Sequence, residues 1–168
     1  MIKSNNDWAE EQFGHAKLGD LRRTARLVKM ASDLAQHPGK SVVKSSPSPA
    51  SMEGAYRFIR NDNVSSDDIA EAGFNATVNQ VHHYPLLLAL EDTTTLSYKH
   101  HSIRADLGHV NQGNRYRGLL AHSILLFAPD TLDVVGLLEQ QRWTRDIKTR
   151  GIRRKDLKRP YEAKERHV

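Results

Sequence analysis

The 168-residue sequence predicts an α+β (mixed α/β) fold, in which helices in the first part precede an antiparallel three-stranded meander in the second. Two observations support this prediction. Segments before residue 80 combine helix-capping residues with apolar side chains at helical spacing. After Pro85 the sequence has three apolar, β-compatible runs that have the length of strands. Helices followed by strands are typical of a helical domain that leads into an α+β domain.

The most regular helical pattern follows Asp20, a typical N-cap residue, and ends at the Pro-Gly pair 38–39. One side of this helix is apolar and is expected to face a core, while the other side is basic. The apolar side chains are Leu27, Met30, Ala31 and Leu34. The basic side chains are Arg22, Arg26 and Lys29, and Arg23 can join them.

Two further helices are expected before residue 80. Ser48 is the expected N-cap of the first, and Pro49 suits its first helical position. Ser65 is the expected N-cap of the second, because Asp68 three residues later completes a capping-box pattern. The side chains of the first that are expected to face a core are Met52, Tyr56 and Ile59.

Three β-compatible runs follow, "LLLALEDTTTLSY" (86–98), "GLLAHSILLFAP" (118–129) and "DVVGLLEQQRW" (133–143). Polar segments separate them. The segment "APDTLD" between the last two runs is typical of a hairpin turn. The sequence therefore predicts three strands, of which the last two form a hairpin.

Composition limits the class of protein. The chain has no cysteine, which excludes disulfides and thiolate metal sites and fits a reducing compartment. The N-terminus lacks the apolar segment of a signal peptide, and the longest apolar run, 86–90, is far too short to cross a bilayer. We therefore expect a cytoplasmic protein with no membrane partner.

Charge is distributed unevenly along the chain. The net charge is +5 and the pI about 9.6, but residues 1–60 carry +4, residues 61–138 carry −5 and residues 139–168 carry +6. Basic segments of this density commonly bind phosphate backbones, and an acidic segment between them suits divalent cations. Solvated surface charge explains the same composition at least as well.

Asp92 stands between the apolar run 86–90 and three threonines. An aspartate at the edge of a buried strand can hold Mg²⁺ or Mn²⁺ together with other acids, because hard cations prefer oxygen ligands. Taken alone, such a residue is more often a turn residue that ends the strand and accepts a hydrogen bond from the Thr93 or Thr94 amide. The local sequence leaves both interpretations open.

Four longer motifs occur in order: "LGDLRRTARLVKMASDLAQHPGKS", "EGAYRFIRNDNVS", "LLALEDTTTLSYKH" and "HSILLFAPDTLDVVGLLEQQRWTR". Together they resemble the N-terminal part of the bacterial DDE transposases that cut and paste DNA through hairpin intermediates. The resemblance extends from about Asp7 to Arg145. It rests on several long motifs rather than on one short pattern.

The resemblance implies a helical domain at 1–64 that binds transposon ends, the first part of an RNase H-like catalytic core at 65–143, and a basic tail at 144–168 that is expected to be mobile. The partner would be the double-stranded DNA of the terminal repeats, at the bacterial nucleoid. The basic residues that match the end-binding region are Arg22, Arg23, Arg26, Lys40, Arg57 and Arg60. The open alternative is that Arg57 or Arg60 pairs with Glu53 or Asp62 and only stabilises the helices.

The resemblance also implies a role for Asp92. In such enzymes the first strand of the core carries the first acid of an Asp-Asp-Glu triad that binds Mg²⁺ or Mn²⁺. Asp92 occupies this position, and Thr93, Thr94 and Tyr98 complete the motif. Asp92 is thus the expected catalytic residue and metal ligand.

The sequence departs from the family after residue 145. The second aspartate and the glutamate of the triad lie farther along the chain in such enzymes, and neither segment is present here. We therefore expect a truncated transposase that does not bind the metal tightly and does not cleave DNA alone. The alternatives are a DNA-binding regulator or inhibitor of a full-length transposase, which would then be a partner, and an inert remnant.

Overall fold

The computed structural model describes residues 4–100, 102, 105–110 and 116–149, and within them the chain is helical first and β-structured second, as predicted. Residues 150–168, most of the predicted mobile tail, lie outside the described residues. The helices are α1 (Asn5–Phe13), α2 (Leu21–Ala35), α3 (Val42–Ser45), α4 (Pro49–Ile59) and α5 (Ser66–Val78), with short 3₁₀ turns at Val81–His83 and Ile147–Thr149. The strands are β1 (Leu88–Tyr98), β2 (Gly108–His109), β3 (Arg117–Ala128) and β4 (Asp133–Trp143). No helix in this described part of the chain is long and apolar enough to span a membrane.

Side-chain caps determine where the helices begin. Asp20, Ser48 and Ser65 each accept a hydrogen bond from an amide of the following first turn, at 2.8, 3.1 and 3.1 Å respectively, so the three predicted N-caps are confirmed. Helix α1, which the sequence did not delimit, begins with a capping box in which the side chains of Ser4 and Asp7 satisfy each other's amides. Local polar chemistry therefore sets each of these starts.

The helical core lies between α2, α4, α5 and the segment that connects α1 to α2. Its buried side chains are Ala16, Leu18, Leu27, Phe58 and Ala72, against which Phe13, Met30, Val64 and Ile69 pack. Thr24 on the buried side of α2 donates a hydrogen bond of 2.9 Å to the Ala16 carbonyl, so the connecting segment is fixed to the helix. Helix α2 contacts both α1 and α4 and is thus the central element of this part.

The buried face of α4 differs from the prediction. Ser51, Ala55 and Phe58 are buried, whereas Ile59 is 57% exposed. Met52 and Tyr56 are only half-buried. The small side chains at 51 and 55 let α4 pack closely, and this places Phe58 rather than Ile59 in the core, since successive helical residues point about 100° apart. The prediction for α2 holds for Leu27, but Leu34 is exposed.

The strands form one antiparallel sheet in which β3 is central. Strands β1 and β2 flank it in the order β1-β3-β2, and β4 also pairs with β3. Strand β4 begins and ends where the sequence predicted, and residues 129–132 form the turn before it. The short β2 was not predicted; its register aligns Gly108 with Gly118.

Strand β1 differs from the expected buried strand. Thr93 is half-buried, and the other side chains of β1 are exposed. The strand continues from Leu88 to Tyr98, so Asp92 lies in its middle rather than at its end. The interpretation of Asp92 as a turn residue that ends the strand is therefore wrong.

The chain divides into two compact units, of which the first comprises Met1–Glu91 and Ile124–Gln140. In addition to the helical core, this unit has a second hydrophobic cluster, which is formed by the β3–β4 hairpin and the residues around the first 3₁₀ turn. The buried members are Leu126, Ala128 and Val135, with Val81, Tyr84, Leu87 and Leu138 packed against them.

The second unit includes the described residues of 92–123 and 141–149. Its buried apolar side chains include Val110, Leu120 and Ala121. The imidazole of His122, 7% exposed, forms a hydrogen bond of 2.8 Å between Nδ1 and the Thr93 hydroxyl. This bond connects β1 to β3 on the side of β1 opposite to Asp92, because successive strand residues point to opposite faces.

Within the first unit, α5 contacts β4 at Gly136. Thr77, which is only 1% exposed, lies directly beside this glycine, and its hydroxyl donates to the Gly73 carbonyl at 3.2 Å. A Cβ atom added at residue 136 would collide with Thr77 Oγ1 and would lie 3.1 Å from Thr77 Cγ2. Glycine is therefore required there by lack of space, and its φ of +158° is also a backbone conformation that other residues rarely adopt.

We expect Gly136→Ala to lower the free energy of unfolding by about 1–3 kcal/mol, because an added methyl group overpacks this contact. Thermal or urea unfolding measures the effect. In a Thr77→Ala background the same substitution should cost less, since most of the colliding atoms are gone. Equal costs in both backgrounds would contradict the assigned contact.

Candidate nucleic-acid interface

The predicted DNA-binding cations lie on or beside α2 and α4, all within the first unit. Arg22, Arg23 and Arg26 are on the first two turns of α2. Arg57 is on the last turn of α4, Arg60 is its C-cap, and Lys40 is in the connection between α2 and α3. The structure brings these side chains onto neighbouring elements but gives them different surroundings.

Arg22 is exposed, with 91% of its side chain accessible. Its guanidinium binds the Asp20 carboxylate, with Nη2 at 2.9 Å from Oδ2 and Nε at 3.2 Å from Oδ1. The side-chain bond from Arg22 and, next, the bond from its backbone amide lower the pKa of Asp20 from 3.8 to about 2. The same pairing raises the pKa of Arg22. The N-cap of α2 is therefore ionised under all ordinary conditions.

Arg23, beside it, is half-buried and points elsewhere. Its Nη1 donates to the carbonyl of Leu18 at 2.8 Å and to the carbonyl of Asn63 at 3.2 Å. Leu18 precedes α2 and Asn63 follows α4, so one guanidinium connects two segments that are far apart in the sequence. Arg23 thus has a clear structural role, which the sequence did not reveal.

On α4, Arg57 forms an ion pair with Glu53 one turn earlier. This is the pairing that the sequence left open as an alternative. Arg60 has no such carboxylate in the described part of the chain; its guanidinium lies over the Tyr56 ring, 5.5 Å from the centroid. On α2, Lys29 similarly pairs with Asp33 at 3.4 Å. Exposed pairs of this kind contribute about 0–1 kcal/mol and exchange partners easily.

Arg26 is half-buried, and its guanidinium lies against Gly54 of α4. Among the described residues it makes no ion pair. An isolated glycine inside a helical pattern often has a packing reason, and this is the signal that could have directed attention to Gly54.

Lysines at the connection between α2 and α4 extend the basic surface. Lys40 is exposed, and its amide donates to the His37 carbonyl at 3.0 Å. Lys44, in the last turn of α3, is also exposed. Sequence reasoning did not select Lys44, because α3 has only four residues and shows no periodicity.

The surroundings of Asp92 do not match its predicted role as a catalytic metal ligand. Its carboxylate is exposed and accepts a hydrogen bond from the Thr94 hydroxyl at 3.3 Å. The described residues include no group of three or more His, Cys, Asp or Glu side chains that could hold a metal ion. Because two Mg²⁺ ions need several carboxylate ligands, the residues described do not fit a two-metal site.

Part of the first unit matches a known protein family. Residues 5–64 match the transposase DNA-binding family. The matched transposase DNA-binding segment runs from the first residue of α1 to the loop after α4, so it includes all six predicted DNA-binding cations and ends before α5. It covers a little over a third of the chain. The match supports DNA binding by a transposase-related protein.

We expect Arg23→Ala to destabilise the transposase DNA-binding segment by about 1–3 kcal/mol, because two hydrogen bonds to backbone carbonyls are lost. Arg22→Ala is the matched control: it removes the same charge from the adjacent position but only an exposed ion pair, so the melting temperature should change little. Thermal unfolding followed by circular dichroism compares them. Equal effects would show that Arg23 does not connect the two segments.

A pH titration tests the ionised N-cap. Because the pKa of Asp20 is depressed in the folded chain, its contribution is present above pH 3.8 and is lost as the pH falls through about 2. Asp20→Asn keeps a good N-cap but cannot titrate. The two proteins should therefore show parallel stability above about pH 4.5, and the unsubstituted chain should lose stability relative to the variant below pH 3.8. Parallel curves down to pH 2 would contradict the assignment.

Proposed function

We propose that this chain binds double-stranded DNA at transposon ends, and that exposed cations of α2 and α4 contact the phosphate backbone. One observation carries the proposal: Arg22, Arg26 and Arg57 lie on two helices that pack together inside the matched transposase DNA-binding segment. Guanidinium groups suit this role because their N–H donors match the paired oxygens of a phosphate.

The ion pairs of the free chain are compatible with this role. Asp20 and Glu53 hold Arg22 and Arg57 at exposed positions, where solvent screening leaves each pair with little net contribution to stability. Hydrogen bonds from guanidinium to phosphate are stronger than neutral ones, and the released counterions add to the free energy of binding. A DNA phosphate can therefore replace either carboxylate at small cost.

We further propose that the described residues hold DNA without cleaving it. The parent chemistry of the resembled transposases, metal-dependent cleavage and strand transfer through Mg²⁺ or Mn²⁺, would use Asp92 as one ligand among several acids. Asp92 is exposed on β1 and has no set of acidic neighbours in the described part of the chain. This favours a DNA-binding role, including regulation of a full-length transposase.

We expect the purified chain to bind duplex DNA in a salt-dependent way. Selection from duplexes with a randomised central segment would yield the preferred sequence, and fluorescence anisotropy would then measure its affinity. Arg22→Gln and Arg57→Gln should each lower the slope of log K against log salt by about 1, because each removes one phosphate contact. Binding should persist in EDTA.

Arg142→Gln on β4 is the control, since it changes the net charge equally at an exposed position outside the matched segment. It should leave the slope unchanged. If Arg142→Gln reduces the slope as much as the helical variants do, the interface is not on α2 and α4. Magnesium-dependent nicking that Asp92→Asn abolishes would contradict the non-cleaving role.

A further inference from the structure

Arg26 differs from the other cations of the interface because its guanidinium packs against a glycine, Gly54. A Cβ atom at residue 54 would lie 2.8 Å from the Arg26 Cζ, 2.8 Å from Nη1 and 3.0 Å from Nη2. These three distances are nearly equal, so the guanidinium presents its flat face, not its edge, to the glycine. The side chain of Arg26 thus reaches from α2 to the surface of α4.

This orientation leaves the N–H groups of Arg26 available. The donors of a guanidinium lie in its plane, so a neighbour that covers the face does not use them. Arg22 and Arg57 each share their donors with a carboxylate, whereas Arg26 pairs with none of the described acids. Arg26 is therefore oriented by packing and still has its hydrogen-bonding capacity for a ligand.

Helix geometry alone does not explain Gly54. The residue lies in the interior of α4 and does not have the positive φ that favours glycine. Glycine is the least favourable residue at such a position apart from proline. Space for the guanidinium of Arg26 gives a physical reason for it, because any larger side chain would occupy the place where the guanidinium lies.

We propose that Gly54 is a positioning residue for DNA recognition: it holds the Arg26 guanidinium flat against α4, so that its free edge binds two adjacent acceptors on DNA. This inference rests on the proposed DNA-binding function. The acceptors are either two oxygens of one phosphate or the O6 and N7 atoms of a guanine. Both have the same donor requirement, and the experiment distinguishes them.

The test is Gly54→Ala. Alanine favours the helix, and the atoms that it meets are the end of a flexible side chain, so the melting temperature should stay constant or rise. The displaced guanidinium should weaken binding to the selected duplex about tenfold. Gly73→Ala in α5 is the matched control, because its Cβ would meet only Phe13 Cε1 at an ordinary 3.5 Å. It should not change DNA affinity.

A double-mutant cycle shows whether the effect passes through Arg26. In an Arg26→Ala background, Gly54→Ala should have no further effect on affinity. If the acceptor is a guanine, Gly54→Ala relaxes the preference at one base pair; if it is a phosphate, affinity falls equally for all sequences and the salt slope falls by about 1. Either pattern supports the positioning role.

Other outcomes overturn the inference. Unchanged DNA affinity in Gly54→Ala, an equal loss in both backgrounds, or a fall in melting temperature large enough to unfold the variant would each contradict it. In these cases the unsubstituted chain still binds DNA. If the unsubstituted chain shows no salt-dependent binding at all, the proposed function itself fails, and the inference fails with it.

Discussion

Two hydrogen bonds from one guanidinium hold the helical part of the molecule in register. Arg23 donates to the carbonyl of Leu18 before α2 and to that of Asn63 after α4. The core between these helices, with Leu27 and Phe58, fixes their separation, and Arg23 ties their ends. The placement of Arg22, Arg26 and Arg57 depends on this arrangement, because these cations are carried by the same two helices.

The electrostatics of this surface are more balanced than its arginine content suggests. Arg22, Lys29 and Arg57 each lie beside a carboxylate of their own element, and residues 1–60 carry a net charge of only +4. Such a surface attracts DNA less strongly at long range than ten isolated cations would, which reduces indiscriminate binding. Arg26 differs because packing rather than charge orients it, and an oriented donor contributes more to specificity than a mobile one.

Much of the fold could be predicted because its determinants are local. Residues next to one another in sequence determine the bounds of β4 and the helix caps at Asp20, Ser48 and Ser65. The order of helices before strands followed from the same patterns. The buried side of α4 could not be assigned correctly, since the choice between Phe58 and Ile59 depends on which helix packs there.

The candidate site was predictable in residue type but not in role. Arginines in a basic helix indicate contact with phosphate, but only the folded chain shows that Arg23 binds two distant carbonyls and that Arg26 lies across Gly54. The exposure of β1 around Asp92 could not be predicted either, because an apolar run predicts burial whether or not another element covers it.

The close contact of Thr77 with Gly136 has a consequence for evolution: helix α5 and the β3–β4 hairpin cannot change independently at this contact. A larger residue at 136 needs a smaller residue at 77 and also a changed backbone, because φ at 136 is +158°, so related chains that keep this packing should either retain Gly136 or change the two positions together.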